Sequence, residues 1–342
     1  MGARSRYVER IINNVPYTVL KKIFVIVIRA LNKKGDHFVT YQERPKFSAA
    51  IQFNPLGLRY DDVAIVIQGP VVAEEGFTLE TVKLYLKNFS GVTVIVSTWD
   101  DTAAHLLQEL RDAGALIEAN EKPLHGGFIN INFQIVSSNK GLKRAKQLGK
   151  KYAVKSRSDQ RLYNPFFLSA FQLLASSNTN ATLAATGLKG RLIVGSMSTL
   201  KYRPYGITDM LMLGYTDDLL LYWPSNLDDR QVEMKAGLNV LDYAKLEVTE
   251  TYLLTSFLRR VGTAPDFTLA QTWEIYKDLF MVLDKASFNV FWYKYSIEKE
   301  NRLDYFDDHV YKELSFFEWA SLSNHPVVPE EYLNREIPPY TP

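Results

Sequence analysis

A chain of 342 residues without cysteine excludes a disulfide framework, thiol catalysis and Cys-ligated metal, and fits a reducing cytoplasm. Apolar residues at 46% and charged residues at 23% are ordinary for a soluble globular protein, with material for one large domain or two modest ones. The net charge of +2 is unevenly placed, because residues 1–35 hold eight Lys or Arg against one acid, Glu9, ahead of a mildly acidic remainder.

That basic arm points to a membrane surface or a polyanion as its partner. Its purely apolar run, Ile23 to Ile28, is closed by Arg29 and is too short to span a bilayer. No small-residue cleavage site follows, which argues against a secretory signal. On a helix, Tyr17, Leu20, Phe24, Val27, Ile28 and Leu31 form a stripe flanked by Lys21, Lys22, Arg29, Lys33 and Lys34. Such a helix can lie on anionic lipid, or it can pack on the protein body.

After a loop rich in turn residues (35–59), VAIVIQGPVV at 63–72 is apolar on both faces, as a buried parallel strand requires, and turns at Gln68-Gly69-Pro70. Thr78 is the expected N-cap of a helix carrying Leu79, Val82, Leu86 and Phe89, stopped by Gly91. VTVIVSTW at 92–99 is a second strand. Asp100 or Asp101 is expected to cap the next helix, and ALIEA is a third strand. Strands alternating with helices at this spacing predict an α/β fold with a doubly wound, mainly parallel sheet. Ligands of such sheets bind at the carboxyl ends of the strands, where Gln68-Gly69-Pro70 and Ser97-Thr98-Trp99-Asp100 sit. No GxGxxG follows the first strand and no GxxxxGK[ST] occurs, so a dinucleotide oxidoreductase and a P-loop kinase are poorly supported.

A loop at His125-Gly126-Gly127 leads into a helix over about Asn130 to Lys151. Its Lys-rich side lacks aromatic interleaving and reads as a solvated face rather than a nucleic-acid site. The helix delivers the chain into KYAVKSRSDQRLYNP, residues 151–165, a strand ending in a turn. Alternation puts Lys155, Arg157 and Asp159 on one side, and Arg161 follows just beyond. A carboxylate among three cations at a strand's carboxyl end suits a phosphate-rich ligand, with or without a metal between. The alternative is a surface ion-pair cluster.

Farther along, LIVGSM is strand-like, and Asp209 precedes an apolar run as either a cleft carboxylate or a turn residue. Glu250 opens the helix TYLLTSFLRR, where the dipole favours an acid on structural grounds alone, or where it is a general base. The last 70 residues are aromatic, and Asp307, Asp308 and His309 cluster there as a weak metal candidate, without the HxxxH or HExxH spacing.

IVIQGP, then VIVSTWDD one helix later, then NFQIVSSNKGLKRAKQLGKKYAVKSRSDQRLY at 132–163 together resemble the WavE lipopolysaccharide-synthesis family, as do TDMLMLGYTDDL and ETYL. The resemblance covers roughly residues 60–260. It implies a GT-A-like architecture with a helical, aromatic-rich C-terminal region. The division would be an arm and linker at 1–59, a nucleotide-sugar-binding catalytic domain at 60–265, and an extension packed on it at 266–342. RSDQR falls where GT-A enzymes carry an acidic DxD-type motif, but Arg157 replaces the first acid and leaves Asp159. Asp159 could hold Mg²⁺ or Mn²⁺ with water and diphosphate oxygens, or Arg157 and Arg161 could neutralise the leaving phosphate directly.

The expected activity is glycosyl transfer from a nucleotide-sugar donor to a lipopolysaccharide or capsule glycan, with Glu250 as first choice of base and Asp209 as second. Gln68, Gly69, Pro70, Ser97, Thr98, Trp99, Asp100 and Lys155 would bind the nucleotide. Asp159, and weakly His309, are the metal candidates. The arm at residues 1–35 would hold the enzyme peripherally on the cytoplasmic face of the inner membrane, near a lipid-linked acceptor, and no nucleic acid is expected as partner. A sugar-phosphate transferase using the same cleft and a non-catalytic nucleotide-sugar-binding assembly subunit are the alternatives.

Overall fold

The computed structural model describes residues 15–36, 38–52, 57–176, 181–295, 308–325 and 327–337. The chain forms two compact units, Met1–Pro45 and Lys46–Pro342. In the first, helix α1 (Tyr17–Lys34) follows Pro16 and closes at Gly35, whose N–H bonds to the Leu31 carbonyl. Ile28 is its one buried residue, and Tyr17 and Lys21 both bond to Glu43. The expected stripe is therefore split. Ile28 turns inward, whereas Tyr17, Phe24, Val27 and Leu31 stay exposed and are joined by Val19, Ile23 and Ile26. Among the described residues no helix is long and apolar enough to cross a membrane.

The second unit is built on strands β1 (Val63–Gln68), β2 (Thr93–Trp99), β3 (Leu116–Asn120), β4 (Tyr152–Arg157), β5 (Gln160–Leu162), β6 (Leu192–Gly195), β7 (Met212–Tyr215), β8 (Phe280–Leu283) and β9 (Val290–Trp292). Seven of them form one sheet in the order β3-β2-β1-β4-β7-β6-β8. β7 pairs antiparallel with β4 and β6, and every other pairing in that sheet is parallel. This is the doubly wound, mainly parallel α/β arrangement expected from the strand–helix alternation. β1 lies inside the sheet, between β2 and β4, because each of its residues is apolar or can be bonded inward, and all six are buried.

The first connections are helices α2 (Phe77–Asn88), α3 (Ala104–Asp112) and α4 (Ile131–Gln147). Helix α4 lies close on the sheet because Gly141 has no Cβ, which would collide with Val66 Cγ1. Two helix starts differ from expectation. Thr78 lies inside α2, behind the left-handed Gly76, and its hydroxyl accepts from Val72 N–H and donates to the Ser158 carbonyl. Helix α3 begins at Ala104 with Ala103 at its N-cap, so neither Asp100 nor Asp101 caps it. β1 stops at Gln68, before the Gly-Pro turn, and α4 is shorter at both ends than the periodicity implied.

The order β3-β2-β1-β4 reverses direction between β1 and β4, so the switch point of the sheet lies where Gln68 pairs with Arg157. The C-terminal region is aromatic and partly helical, and it also supplies strands. β8 runs parallel to β6 at the edge of the main sheet, and β9 pairs antiparallel with β5, Gln160 opposite Trp292.

Candidate functional site

A cleft of about 1310 Å³ opens at the carboxyl ends of the central strands. Gln68, Gly69 and Pro70 line it beside Arg157, Ser158 and Asp159, and Trp99, Phe133 and Gln134 form an aromatic side. Ser198, Asp209, Thr249 and Glu250 line it as well, together with Trp292, Tyr293 and Lys294 from the C-terminal region.

The two loops at the switch point are lashed together. Ser158 N–H bonds to the Gln68 carbonyl at 2.9 Å, and its hydroxyl donates to the Pro70 carbonyl at 2.6 Å. Gly69 has φ +113, and a Cβ there would stand 3.0 Å from Ser158 Oγ, so the close approach calls for glycine. Beside this clamp Arg157 and Asp159 make a two-point ion pair, Nε to Oδ1 at 2.8 Å and Nη2 to Oδ2 at 2.9 Å. Trp292 Nε1 adds a third donor, 3.0 Å from Oδ2. Burial pushes the Asp159 carboxyl up, but the bonds and charge of Arg157 and the bond from Trp292 outweigh it and hold the group below the usual carboxylate range. The side chain of Arg157 is 25% exposed, so the pair is fixed but still reachable from the cleft.

Two expected phosphate ligands face elsewhere. Lys155 is wholly buried, two residues before the end of β4; its amine bonds to the Asp209 carbonyl and lies 4.4 Å over the Trp223 ring. Burial pushes that amine down to about 7, with the charge of Asp209 opposing. Arg161 is also buried. Pairing of β5 with β9 turns it toward α2, where it bonds to Thr81 Oγ1, the Phe77 carbonyl, the Lys46 carbonyl and the Tyr163 hydroxyl. It ties framework segments together and does not line the cleft.

Of Ser97 to Asp100, only Trp99 lines the cleft, edge-on to Phe133 at 5.6 Å. Ser97 and Thr98 are fully buried, with Ser97 Oγ donating to the Ser137 carbonyl, and Asp100 is exposed without lining the cleft. The Gln68 side chain is turned inward and accepts from Ser137 Oγ at 2.7 Å. Asp209 is buried and its Oδ2 has no hydrogen-bond partner among the described residues. Glu250 stands in the first turn of the helix Thr249–Arg260, with Val248 at its N-cap.

His309 lies outside the cleft, and its Nδ1 accepts from Tyr311 N–H. Asp308 accepts from the hydroxyls of Tyr202 and Tyr332 and pairs with Lys312, while Asp307 lies outside the described residues. Among the described residues there is no group of three or more His, Asp or Glu able to hold a metal ion. Three N–H donors lie on the two oxygens of Asp159, and a Mg²⁺ or Mn²⁺ there would stand against the charge of the paired Arg157 guanidinium. The donor set does not fit a bound divalent cation.

Sequence reasoning missed Trp292, which is separated from Asp159 by a long stretch of chain, and Phe133 with Gln134, whose Oε1 is buried without a partner among the described residues. FNVFWYKYS carried a strand-like signal, but nothing in it named its partner strand.

Fold and crevice define a doubly wound α/β protein with a cleft at its switch point. The chain belongs to the WavE lipopolysaccharide synthesis family, whose model matches residues 63–296. No curated protein matches the sequence significantly. Among solved structures, a mycobacterial protein is similar at 12% identity over 66% of this chain and 74% of that one, with a TM-score of 0.36. Glucosyl-3-phosphoglycerate synthase from Mycobacterium tuberculosis, in complex with Mn²⁺, uridine diphosphate and phosphoglyceric acid, is similar at 10% identity over 60% and 80%, with a TM-score of 0.32. Likenesses of this size do not bear on activity.

Proposed function

We propose that the protein is a GT-A-like glycosyltransferase that moves a sugar from a nucleotide-sugar donor to a lipopolysaccharide or capsule glycan. The observation that carries this reading is the fixed Arg157 guanidinium at the switch point of a cleft that also holds aromatic rings and, beyond Asp159, the carboxylates of Glu74, Asp209 and Glu250. In the reaction the bond from the sugar's anomeric carbon to the donor phosphate breaks, and a bond to an acceptor hydroxyl forms. The leaving nucleoside diphosphate gathers negative charge, which Arg157 stabilises without having to reorganise. Trp99 and Phe133 offer faces for the base, and the backbone of Gln68 to Pro70 borders the phosphates.

The acceptor's proton goes to another carboxylate that lines the cleft. Glu250 and Asp209 both line the cleft, and the unpartnered Oδ2 of Asp209 supports Asp209 as the receiving atom. No step is routed through a metal. The exposed apolar residues of α1 beside Lys22, Arg29 and Lys33 support a seat on anionic lipid at the cytoplasmic face of the inner membrane, near a lipid-linked acceptor.

Calorimetric titration with UDP-, GDP-, CMP- and dTDP-sugars, followed by turnover assays with and without lipopolysaccharide acceptors, tests the reading. One donor should bind and be consumed, and Asp159→Asn should abolish transfer while circular dichroism stays native. Near-normal turnover of that variant overturns the assignment. Binding without turnover under any condition favours a non-catalytic assembly subunit, and a phosphodiester product favours sugar-phosphate transfer. Co-sedimentation with phosphatidylglycerol vesicles, and not with phosphatidylcholine vesicles, checks the arm.

A further inference from the structure

We propose that Asp159 is not a metal ligand but the holder of Arg157, and that this cation, steadied through Trp292, takes up the donor's diphosphate without a divalent ion. The inference rests on the reading of the cleft as a nucleotide-sugar site.

Four observations converge on it. First, both Asp159 oxygens are engaged, one by Arg157 Nε and the other by Arg157 Nη2 and Trp292 Nε1. A metal ion on this carboxylate would stand against the charge of the paired guanidinium. Second, the position itself is rigid. Arg157 is held in register with Gln68, and the next residue, Ser158, is bonded to both the Gln68 and Pro70 carbonyls. Third, the chain after Asp159 is pinned as well, because Tyr293 N–H bonds to the Asp159 carbonyl and β5 pairs with β9.

Fourth, among the described residues no group of three or more His, Asp or Glu stands ready for a metal ion. Arg157 Nε and Nη2 hold Asp159, and the planar fork of a guanidinium matches phosphate oxygens. Trp292 acts as a positioning residue: its indole donates to the carboxylate, and its ring lies 5.6 Å from the guanidinium.

The test is binding of UDP, GDP, CDP and dTDP to the full chain by calorimetry, once in EDTA and once in MnCl₂, with Mn²⁺ binding read separately by electron paramagnetic resonance. One nucleoside diphosphate should bind with affinities that agree within about twofold in the two conditions. Arg157→Ala should weaken it by about 100-fold, and Arg157→Lys should restore little, because an ammonium cannot make the two-point pair. The lysine variant also guards against a folding defect in the alanine variant, and circular dichroism checks both. Binding that appears only with Mn²⁺, or a Mn²⁺ signal lost in Asp159→Asn, overturns the inference and leaves the donor site standing. Failure of all four nucleotides to bind in either condition overturns the donor-site reading, and the inference with it.

Discussion

Two of the carboxylates that line the cleft are treated in opposite ways. Asp159 receives three N–H donors and sits below the usual carboxylate range, while Asp209 keeps one buried oxygen with no partner among the described residues. A saturated carboxylate is a fixture that orients its neighbour. An unsatisfied one is a cost to the fold that a ligand's hydroxyl can relieve. The contrast fits the proposed division of labour, with Asp159 holding a cation in place and Asp209 offering an oxygen to the acceptor.

The largest expected effect breaks the contrast on the open side. Asp209→Asn should lower turnover by about 10²–10⁴-fold while nucleotide affinity stays close to wild type. An equal loss of affinity in a titration would place Asp209 with the donor instead, and a larger fall in Glu250→Gln would move the base to Glu250. Next, Trp292→Phe keeps a ring but removes one donor to a charged group, worth about 1.5–3 kcal/mol. Donor affinity should fall roughly tenfold or somewhat more, with turnover at saturation little changed.

Lys155 sharpens the comparison from beneath, since its amine bonds to the Asp209 carbonyl. With the folded amine at about 7 against an ordinary 10.5, the unfolded chain binds more protons between those values. Stability should therefore rise with pH across that window, by at most about 1.4 kcal/mol per pH unit. Lys155→Met should flatten the slope in urea titrations at several pH values. The smallest effect is on acid stability, through Asp159. Its depressed folded value stabilises the protein above the ordinary carboxylate range, and that contribution is lost as pH falls through the lower folded value. Asp159→Asn should remove this acid limb.

The framework was legible because its signals are local. The unbroken apolar run of β1 could only be a central strand, and the Gly-Pro after Gln68 marked its rim. RSDQR was legible as a site because a charged cluster followed an apolar strand. Its internal roles were not. Alternation placed Lys155 and Arg157 together, but burial under Trp223 takes one and the cleft takes the other. Arg161 was misread because β5 turns it toward α2, and that pairing depends on β9, far along the chain. Thr78 was read as a cap because a threonine before an apolar run usually is one; here its hydroxyl serves Val72 and Ser158.

The late arrival of β8 and β9 has a consequence for synthesis. Until residues 280–283 emerge, the outer edge of β6 presents unpaired N–H and C=O groups, and until Trp292 emerges Asp159 lacks its third donor. Parallel pairing between distant segments forms slowly. A nascent chain therefore carries an open sheet edge for much of its translation, and a chain cut before Phe280 is expected to aggregate rather than to fold as a smaller enzyme.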